Sequence, residues 1–373
     1  MADREGERVK SEILLTVSGR IDSTIEGRIA CGEHPRADYL ELARAFDAEL
    51  VDYAQARSQS GWPGRWLEKL GGRNALLAWA CWRRRGQYRA IFTDGEQVGI
   101  PLALLLKFFG RGRLKTRHLM VTHVLSVGKK MLLFDIFKIA SHVDRFLVYS
   151  TWQKRFIETR WQVPDQRVVF TPFMVDERFF SLASLPAATP QDAKSRMICA
   201  VGLERRDYPT LMAAVRDLDV QVVIAASSPW SKQSDCSQHS EIPANVMVKK
   251  FTQYELRQIY ASSAFMVMPL FNVSFQAGVT AILEALAMQR AVICSRTTGQ
   301  TDVIIEGENG LYVPPGDVAA LRDAIQRLLD QPEEAARLGR NGRQLVEARM
   351  NLDSYVERLK QVVEETIAGM KTG

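Results

Sequence analysis

The chain has 373 residues, 46% apolar and 25% charged, and 49 Lys+Arg against 43 Asp+Glu leave a formal charge of +6. That apolar content excludes a disordered chain, and 24 Gly and 14 Pro without a period exclude a collagen-like or low-complexity one. The length exceeds a typical single core and suits two domains of roughly 150–200 residues each. The longest apolar candidate, residues 98–109, is interrupted by Pro101 and Lys107 and falls short of the roughly 18–20 residues of a membrane span. The amino end, MADREGER, lacks a signal peptide's charge pattern and apolar core, so the expectation is a protein of the cytoplasmic side. Cys31, Cys81, Cys199, Cys236 and Cys294 are scattered, with no CxxC and no Cys/His cluster. They read as isolated buried thiols, not as disulfides or a zinc site.

In chain order, residues 13–17, 49–53, 90–93, 119–122, 146–149 and 168–171 are short β-branched runs that read as strands. Amphipathic stretches at 39–46, 75–84, 98–109, 129–139 and 152–161 read as the helices between them. The rhythm pauses at 181–194, SLASLPAATPQDAK, an Ala/Ser/Pro-rich linker. It resumes with strands at 197–201, 220–226, 246–249, 265–268 and 291–294 and helices at 210–218, 254–262, 280–288 and 318–329. Charged helical stretches at 333–350 and 352–367 close the chain. Strand–helix alternation of this kind specifies parallel sheets covered on both faces, with ligands beyond the carboxyl ends of the strands.

Two loops carry the chemistry. In residues 265–317 a buried strand leads through a loop to Gly278, where the backbone can approach a ligand without a Cβ in the way. The amides of Val279 and Thr280 then open a helix whose amino end favours an anion such as a diphosphate. Glu284 follows in the same helix, roughly 9 Å along, the reach from a nucleotide's phosphates to its ribose. A carboxylate there can accept both hydrogen bonds of a cis-diol. In MICAVGLERRDYPTL, residues 197–211, a strand ends before Gly202, with Arg205 and Arg206 placed to grip phosphate.

The order of these pieces, with LEALAMQRAVICS and GQTDVIIEGENGLYVPPGD, resembles the donor-nucleotide segment of retaining glycosyltransferases of family four. The resemblance implies an α/β fold of GT-B type: two doubly wound Rossmann-like domains with an interdomain cleft. It divides the chain into an acceptor-side domain (1–180), a linker (181–195), a nucleotide-sugar-binding domain (196–350) and a C-terminal helix (351–373) packing back on the first domain. In the family two glutamates stand eight positions apart. Glu284 matches the second, which holds the ribose hydroxyls, whereas Gln276 replaces the first, which contacts the donor sugar. Glutamine keeps an acceptor oxygen, adds a donor and loses the charge. Asn309, Gly310, Leu311, Val313, Pro314, Gly316 and Asp317 match the rest of the segment. Gly202 and Arg206 match the glycine and the lysine of the family's diphosphate loop, with Leu203 where its arginine would stand.

From the resemblance follow catalytic places for His123, Arg206, Gln276 and Glu284. His123, at a strand end, faces the donor sugar. Donor contacts fall to Gly202, Arg205, Arg206, Lys250, Ala277, Gly278, Val279, Thr280 and Glu284. The implied reaction moves a sugar from a UDP- or GDP-linked donor to an unidentified hydroxyl, by front-face transfer with retention. No cofactor is implied, and no DxD-type pair stands where it would chelate a metal-diphosphate. Two further readings are a sugar-nucleotide epimerase of the same fold, and a degenerate binding module. The second is motivated by Gln276 and by Phe173–Met174 in place of an asparagine-glycine pair.

The first half carries weaker signals. Asp94 is an acceptor-side candidate or, by preference, a helix cap. Residues 107–130 hold seven Lys/Arg and no Asp or Glu, and four of seven tryptophans lie in 62–82. The stretch 128–140, GKKMLLFDIFKIA, places Leu133, Phe134, Ile136 and Phe137 on an apolar side. Such residues suit an anionic membrane surface, although filling of the domain core accounts for most of them. Nucleic acid is a poor partner: no binding motif is present and the charge excess is modest.

Overall fold

The β-branched runs form two parallel sheets. The computed structural model describes residues 11–110, 116–185, 196–226 and 242–369. Most of the linker and Cys236 lie outside them. The first sheet comprises β1 (Ile13–Thr16), β2 (Glu49–Val51), β3 (Ala90–Thr93), β4 (Arg117–Thr122), β5 (Arg145–Val148) and β6 (Val168–Phe170), in the order β2-β1-β3-β4-β5-β6. The second comprises β7 (Met197–Val201), β8 (Gln221–Ala225), β9 (Val246–Lys249), β10 (Phe265–Met268), β11 (Ala291–Ser295) and β12 (Gly310–Val313), in the order β12-β11-β10-β7-β8-β9. Each order reverses beside its first strand, and such a switch point opens a crevice at the carboxyl edge.

The helices of the first domain are α1 (Ile25–Ala30), α2 (Asp38–Phe46), α3 (Tyr53–Gln59), α4 (Gly61–Arg84), α5 (Glu96–Phe109), α6 (Gly128–Phe137) and α7 (Thr151–Trp161). Those of the second are α8 (Tyr208–Val215), α9 (Gln253–Ser262), α10 (Val279–Ala287), α11 (Val318–Asp330) and α12 (Pro332–Leu345). The short π-helical stretch Val346–Met350 then leads into α13 (Leu352–Ala368). Period-two burial splits each sheet between two cores. Leu14, Ile91, Met120 and Phe146 face the layer of α4 to α7, whereas Leu15, Phe92, Leu119 and Leu147 face α2 and α13. In the second domain Cys199, Met266 and Val292 face α9 and α10, while Ala200, Val267 and Ile293 face α8, α11 and α12.

The chain returns to its first domain at Asn351, which caps α13 by accepting from the Ser354 amide at 2.7 Å. Val175 donates to Met350 O and accepts from Leu352 N, both at 3.0 Å. Leu352, Tyr355, Leu359 and Val363 complete the core over β1, β3 and β4, and the Tyr149 and Tyr355 hydroxyls meet at 2.9 Å. Arg36 ties the crossing together, reaching Asp176 at 3.0 Å and Asp353 at 2.6 Å.

The structure adds elements the sequence pattern did not show: α1, α3, the first half of α4, and β12. Gly72, at φ 74°, divides α4 into a buried half and an exposed half. Cys81, Cys199 and Cys294 are free and buried, but Cys31 is exposed, because it follows the last turn of the short, solvent-facing α1. No helix among the described residues is long and apolar enough to cross a membrane.

Replacing fully buried Leu359 by Ala should cost roughly 2–5 kcal/mol, the range for a large core truncation. Urea unfolding checks this, and an unchanged midpoint would mean that α13 contributes nothing to the first core.

Candidate functional site

The loop after β7 carries a buried arginine. Arg206 is 4% exposed, and its guanidinium is held by neutral acceptors only: Nε donates to Val201 O at 2.8 Å and Nη1 to Glu204 O at 2.6 Å. Among the described residues no carboxylate pairs with it. Burial lowers its pKa, yet a guanidinium stays charged. The loop is fastened to the one after β10, where Asp207 N donates to Pro269 O and Phe271 N to Arg205 O, each at 3.0 Å. Asp207 also caps α8 through Thr210.

Two glycines make room for this side chain. Gly202 (φ 99°) and Gly278 (φ 77°) both occupy the left-handed region, and a Cβ on them would stand 2.5 Å and 2.8 Å from Arg206 Nη2. Nη2 therefore lies between the end of β7 and the tip of α10. Gly278 is the N-cap of α10 and offers no side chain. The amides of Val279, Thr280 and Ala281 meet no protein acceptor among the described residues. A buried cation thus sits beside the positive end of a helix dipole, with no carboxylate paired to either among the described residues. Arg257 and Arg290 are also buried on neutral acceptors, but of these only Arg206 stands at a helix N-terminus with free amides, an arrangement that suits an anion.

Glu284 lies farther along α10, 5% exposed, and accepts from the Tyr260 hydroxyl of α9 at 2.8 Å. Burial pushes its carboxyl up to about 7, against a smaller downward pull from that hydroxyl. Tyr260 is in turn raised by burial and by Glu284, and lowered by Arg206, so the three groups share one electrostatic neighbourhood. Gln276 is part-buried, and its Oε1 has no partner. The Gln276 loop is braced from below: Gln300 Nε2 donates to Ala277 O, and Gly299 N to Val273 O at 3.2 Å. Gly299 packs so closely that a Cβ would lie 2.2 Å from the Phe275 carbonyl carbon.

The first domain faces this edge. Ser126, after β4, meets Ser274 at 3.1 Å, and Asp302 accepts from Thr151 N and Oγ1, at the start of α7, at 2.9 and 2.8 Å. His123 stands at the end of β4 with its backbone amide on Glu96 Oε2 at 2.8 Å and its Nδ1 3.4 Å from the same oxygen. Lys130 closes on the other oxygen at 2.6 Å. Burial would raise the Glu96 carboxyl, but His123 and Lys130 outweigh it and hold it at about 2. Conversely, burial would lower His123, and Glu96 with Asp94 raises it. Its side chain is 42% exposed, free to meet a ligand.

The structure therefore brings Gly202, Arg206, Ala277, Gly278, Val279, Thr280, Gln276 and Glu284 together on adjoining loops, with His123 on the facing edge. Arg205 and Lys250 are not buried in this cluster. Arg205 is half exposed at φ 56° beside Glu204, and Lys250 is exposed after the edge strand β9. The preferred reading of Asp94 as a helix cap is corrected, because Gly95 is the N-cap of α5. Asp94 instead accepts from Thr16 Oγ1 at 2.6 Å and Ser18 Oγ at 2.8 Å, tying β1 to β3. The asparagine-glycine run serves architecture: Asn309 Oδ1 accepts from Ile305 N at 2.7 Å, its amide donates to Val303 O at 2.9 Å, and Asp317 caps α11. Sequence reasoning missed Tyr260 and Glu96. Neither carries a local signal, since their partners lie 24 and 27 residues away.

Residues 204–331 match the family described as glycosyl transferases, group 1. The second domain is similar to that family over those residues. Among curated relatives, an alpha-D-kanosaminyltransferase of Streptomyces kanamyceticus is 32% identical over 84 residues, 22% of each chain. The MMP alpha-(1->4)-mannosyltransferase of Mycolicibacterium hassiacum is 25% identical over 247 residues, 62% of this chain and 56% of that one. The match thus spans only about a fifth to a little over half of these relatives' lengths. In three dimensions, a sucrose-phosphate synthase of Thermosynechococcus elongatus superposes with a TM-score of 0.69 at 21% identity, covering 96% of this chain and 99% of that one. HepE of Anabaena, solved with UDP-glucose, gives 0.67 at 11% identity over 95% and 99%. The fold is GT-B, and the chain is similar to family-four glycosyltransferases.

The pKa of Glu284, about 7 in the fold against 4.5 ordinarily, makes its ionised form a liability to the folded state. The penalty is absent below the ordinary value, grows as pH rises towards 7 and is complete above it. Glu284→Gln should therefore stabilise the protein at pH 8, by up to about 3 kcal/mol, and change little at pH 4. Thermal unfolding at the two pH values checks this; a pH-independent effect would contradict the burial argument.

Proposed function

We propose that this chain is a retaining glycosyltransferase that moves a sugar from a nucleoside-diphosphate donor to a hydroxyl acceptor. The observation that carries the reading is the uncompensated guanidinium of Arg206 at the tip of α10, with Glu284 farther along the same helix. A diphosphate supplies the missing negative charge. Its ribose then falls to the Glu284 carboxylate, whose second role is to hold Tyr260.

The transition state resembles an oxocarbenium ion, with negative charge growing on the leaving phosphate. Arg206 and the amides of Val279 to Ala281 stabilise that charge in a site preorganised by buried backbone bonds. The sugar's carbon–oxygen bond to the diphosphate breaks, the acceptor oxygen bonds to the same face, and the leaving phosphate oxygen takes the acceptor's proton. Configuration is kept without a protein nucleophile. His123, oriented by Glu96, positions the sugar from the facing domain, and Gln276 offers an amide to its hydroxyls. Uridine is the first base to test, since HepE was solved with UDP-glucose.

Calorimetry with UDP, GDP and inorganic pyrophosphate separates the parts. Arg206→Met should weaken all ligands that bind and lower kcat roughly 10²–10³-fold, as loss of an oxyanion donor does. Glu284→Ala should weaken the nucleoside diphosphate and leave pyrophosphate untouched. The proposal fails if neither nucleoside diphosphate binds the unaltered chain. Product analysis with and without an acceptor distinguishes transfer from epimerisation of the donor.

A further inference from the structure

The helical layer of the first domain exposes apolar side chains that no core uses. Trp62, Trp66 and Leu70 recur every four residues on the exposed half of α4, at 76%, 57% and 68% exposure. Beside them Arg65 and Lys69 recur at the same spacing, both exposed. A four-residue period keeps each set on its own stripe, so an aromatic stripe runs beside a basic one. The helix's one carboxylate, Glu68, is taken by Arg57 at 3.4 Å. Gly72 breaks the helix, and the first half folds back so that Gly64 packs against Leu76 of the second.

A second patch lies on the same side of the sheet. It corrects the expected apolar side of α6: Phe134 is buried, while Leu132, Ile136 and Phe137 are exposed. Phe137 meets exposed Phe108 of α5 edge to face at 5.7 Å, and Lys107 Nζ donates to Phe137 O at 2.5 Å, joining the ends of the two helices. Exposed Lys129 and Lys138 flank α6.

We propose that this helical layer docks on an anionic lipid surface, with Trp62, Trp66, Phe108 and Ile136 entering the headgroup–acyl boundary and the basic stripe meeting lipid charge. Tryptophan favours that boundary, and bare lysine and arginine next to apolar groups match an anionic bilayer better than a neutral protein face. The inference rests on surface chemistry alone and stands independently of the reading of the cleft. On either reading, an acceptor held in a bilayer would be brought to the enzyme by this face.

The test is co-sedimentation of the full chain with phosphatidylcholine vesicles, with and without phosphatidylglycerol, together with the protein's tryptophan fluorescence. Binding should require phosphatidylglycerol, shift emission to the blue and reverse at about 0.5 M salt. Trp62→Ser with Trp66→Ser, and separately Arg65→Glu with Lys69→Glu, should each weaken binding at least about tenfold. Unchanged melting curves would show that these exposed changes leave the fold intact. The proposal is overturned if anionic vesicles neither sediment the unaltered chain nor shift its emission. It is equally overturned if both variants bind as tightly as the parent. Self-association that the same substitutions abolish, without vesicle binding, would assign the face to a protein partner instead.

Discussion

One of the three buried arginines among the second domain's described residues organises the loops at its carboxyl edge. Arg206 is desolvated and tied to two main-chain carbonyls, and it is pressed against glycine backbones on both sides. Removing a charge from water costs several kcal/mol even after relaxation, and neutral carbonyls return only part of that. The remainder is met by a ligand or carried as strain on stability. Everything nearby follows from giving this side chain its place. β7 and β10 must be neighbours, their following loops must be sewn together through Asp207 and Phe271, and positions 202 and 278 must lack a Cβ.

The two edges of the cleft solve opposite charge problems. On the first domain's edge, Glu96 is buried between His123 and Lys130, so the carboxylate and its cations balance within the protein. What remains exposed there is an imidazole whose ring is fixed by Glu96 and packed near Tyr149 at 5.4 Å. Orientation is that edge's product. On the second domain's edge no carboxylate among the described residues pairs with Arg206, so the surplus positive charge is left facing the cleft. Asn351 and α13 hold the two domains to one another.

How much of this was legible in the sequence depended on whether the signal was local. All six strands of the first sheet and five of the second announce themselves by β-branched runs, because strands buried on both faces must be apolar throughout. β12 did not, since Gly310 opens it and Pro314 follows it in a segment dominated by turn residues. The helices α1 and α3 are six and seven residues long, too short for a period to register. Gly278 and Glu284 were readable because one helix carries both. Tyr260 and Glu96 were not, because only the fold brings them to their partners. Both Arg205 and Arg206 were donor candidates in sequence; in the fold Arg205, at φ 56°, is half exposed while Arg206 is buried.

Gln276 departs from the pattern of the family this chain is similar to, and the geometry gives the departure a physical sense. A carboxylate at this position would stand in the Gln276–Gly278 turn, close to the tip of α10 and to Arg206, and would cancel part of the positive charge that the site otherwise offers. An amide leaves that charge undiminished. Glu284 is then the carboxyl of the α10 segment, pushed up to about 7 because burial raises it and only the Tyr260 hydroxyl lowers it. A bound anion beside it would raise it further, whereas the ribose hydroxyls it accepts would lower it. The unpartnered Oε1 of Gln276 completes the argument: a buried acceptor without a donor costs about 1–3 kcal/mol, and a sugar hydroxyl could satisfy it. The substitution thus trades a charged contact for a neutral one without closing the site.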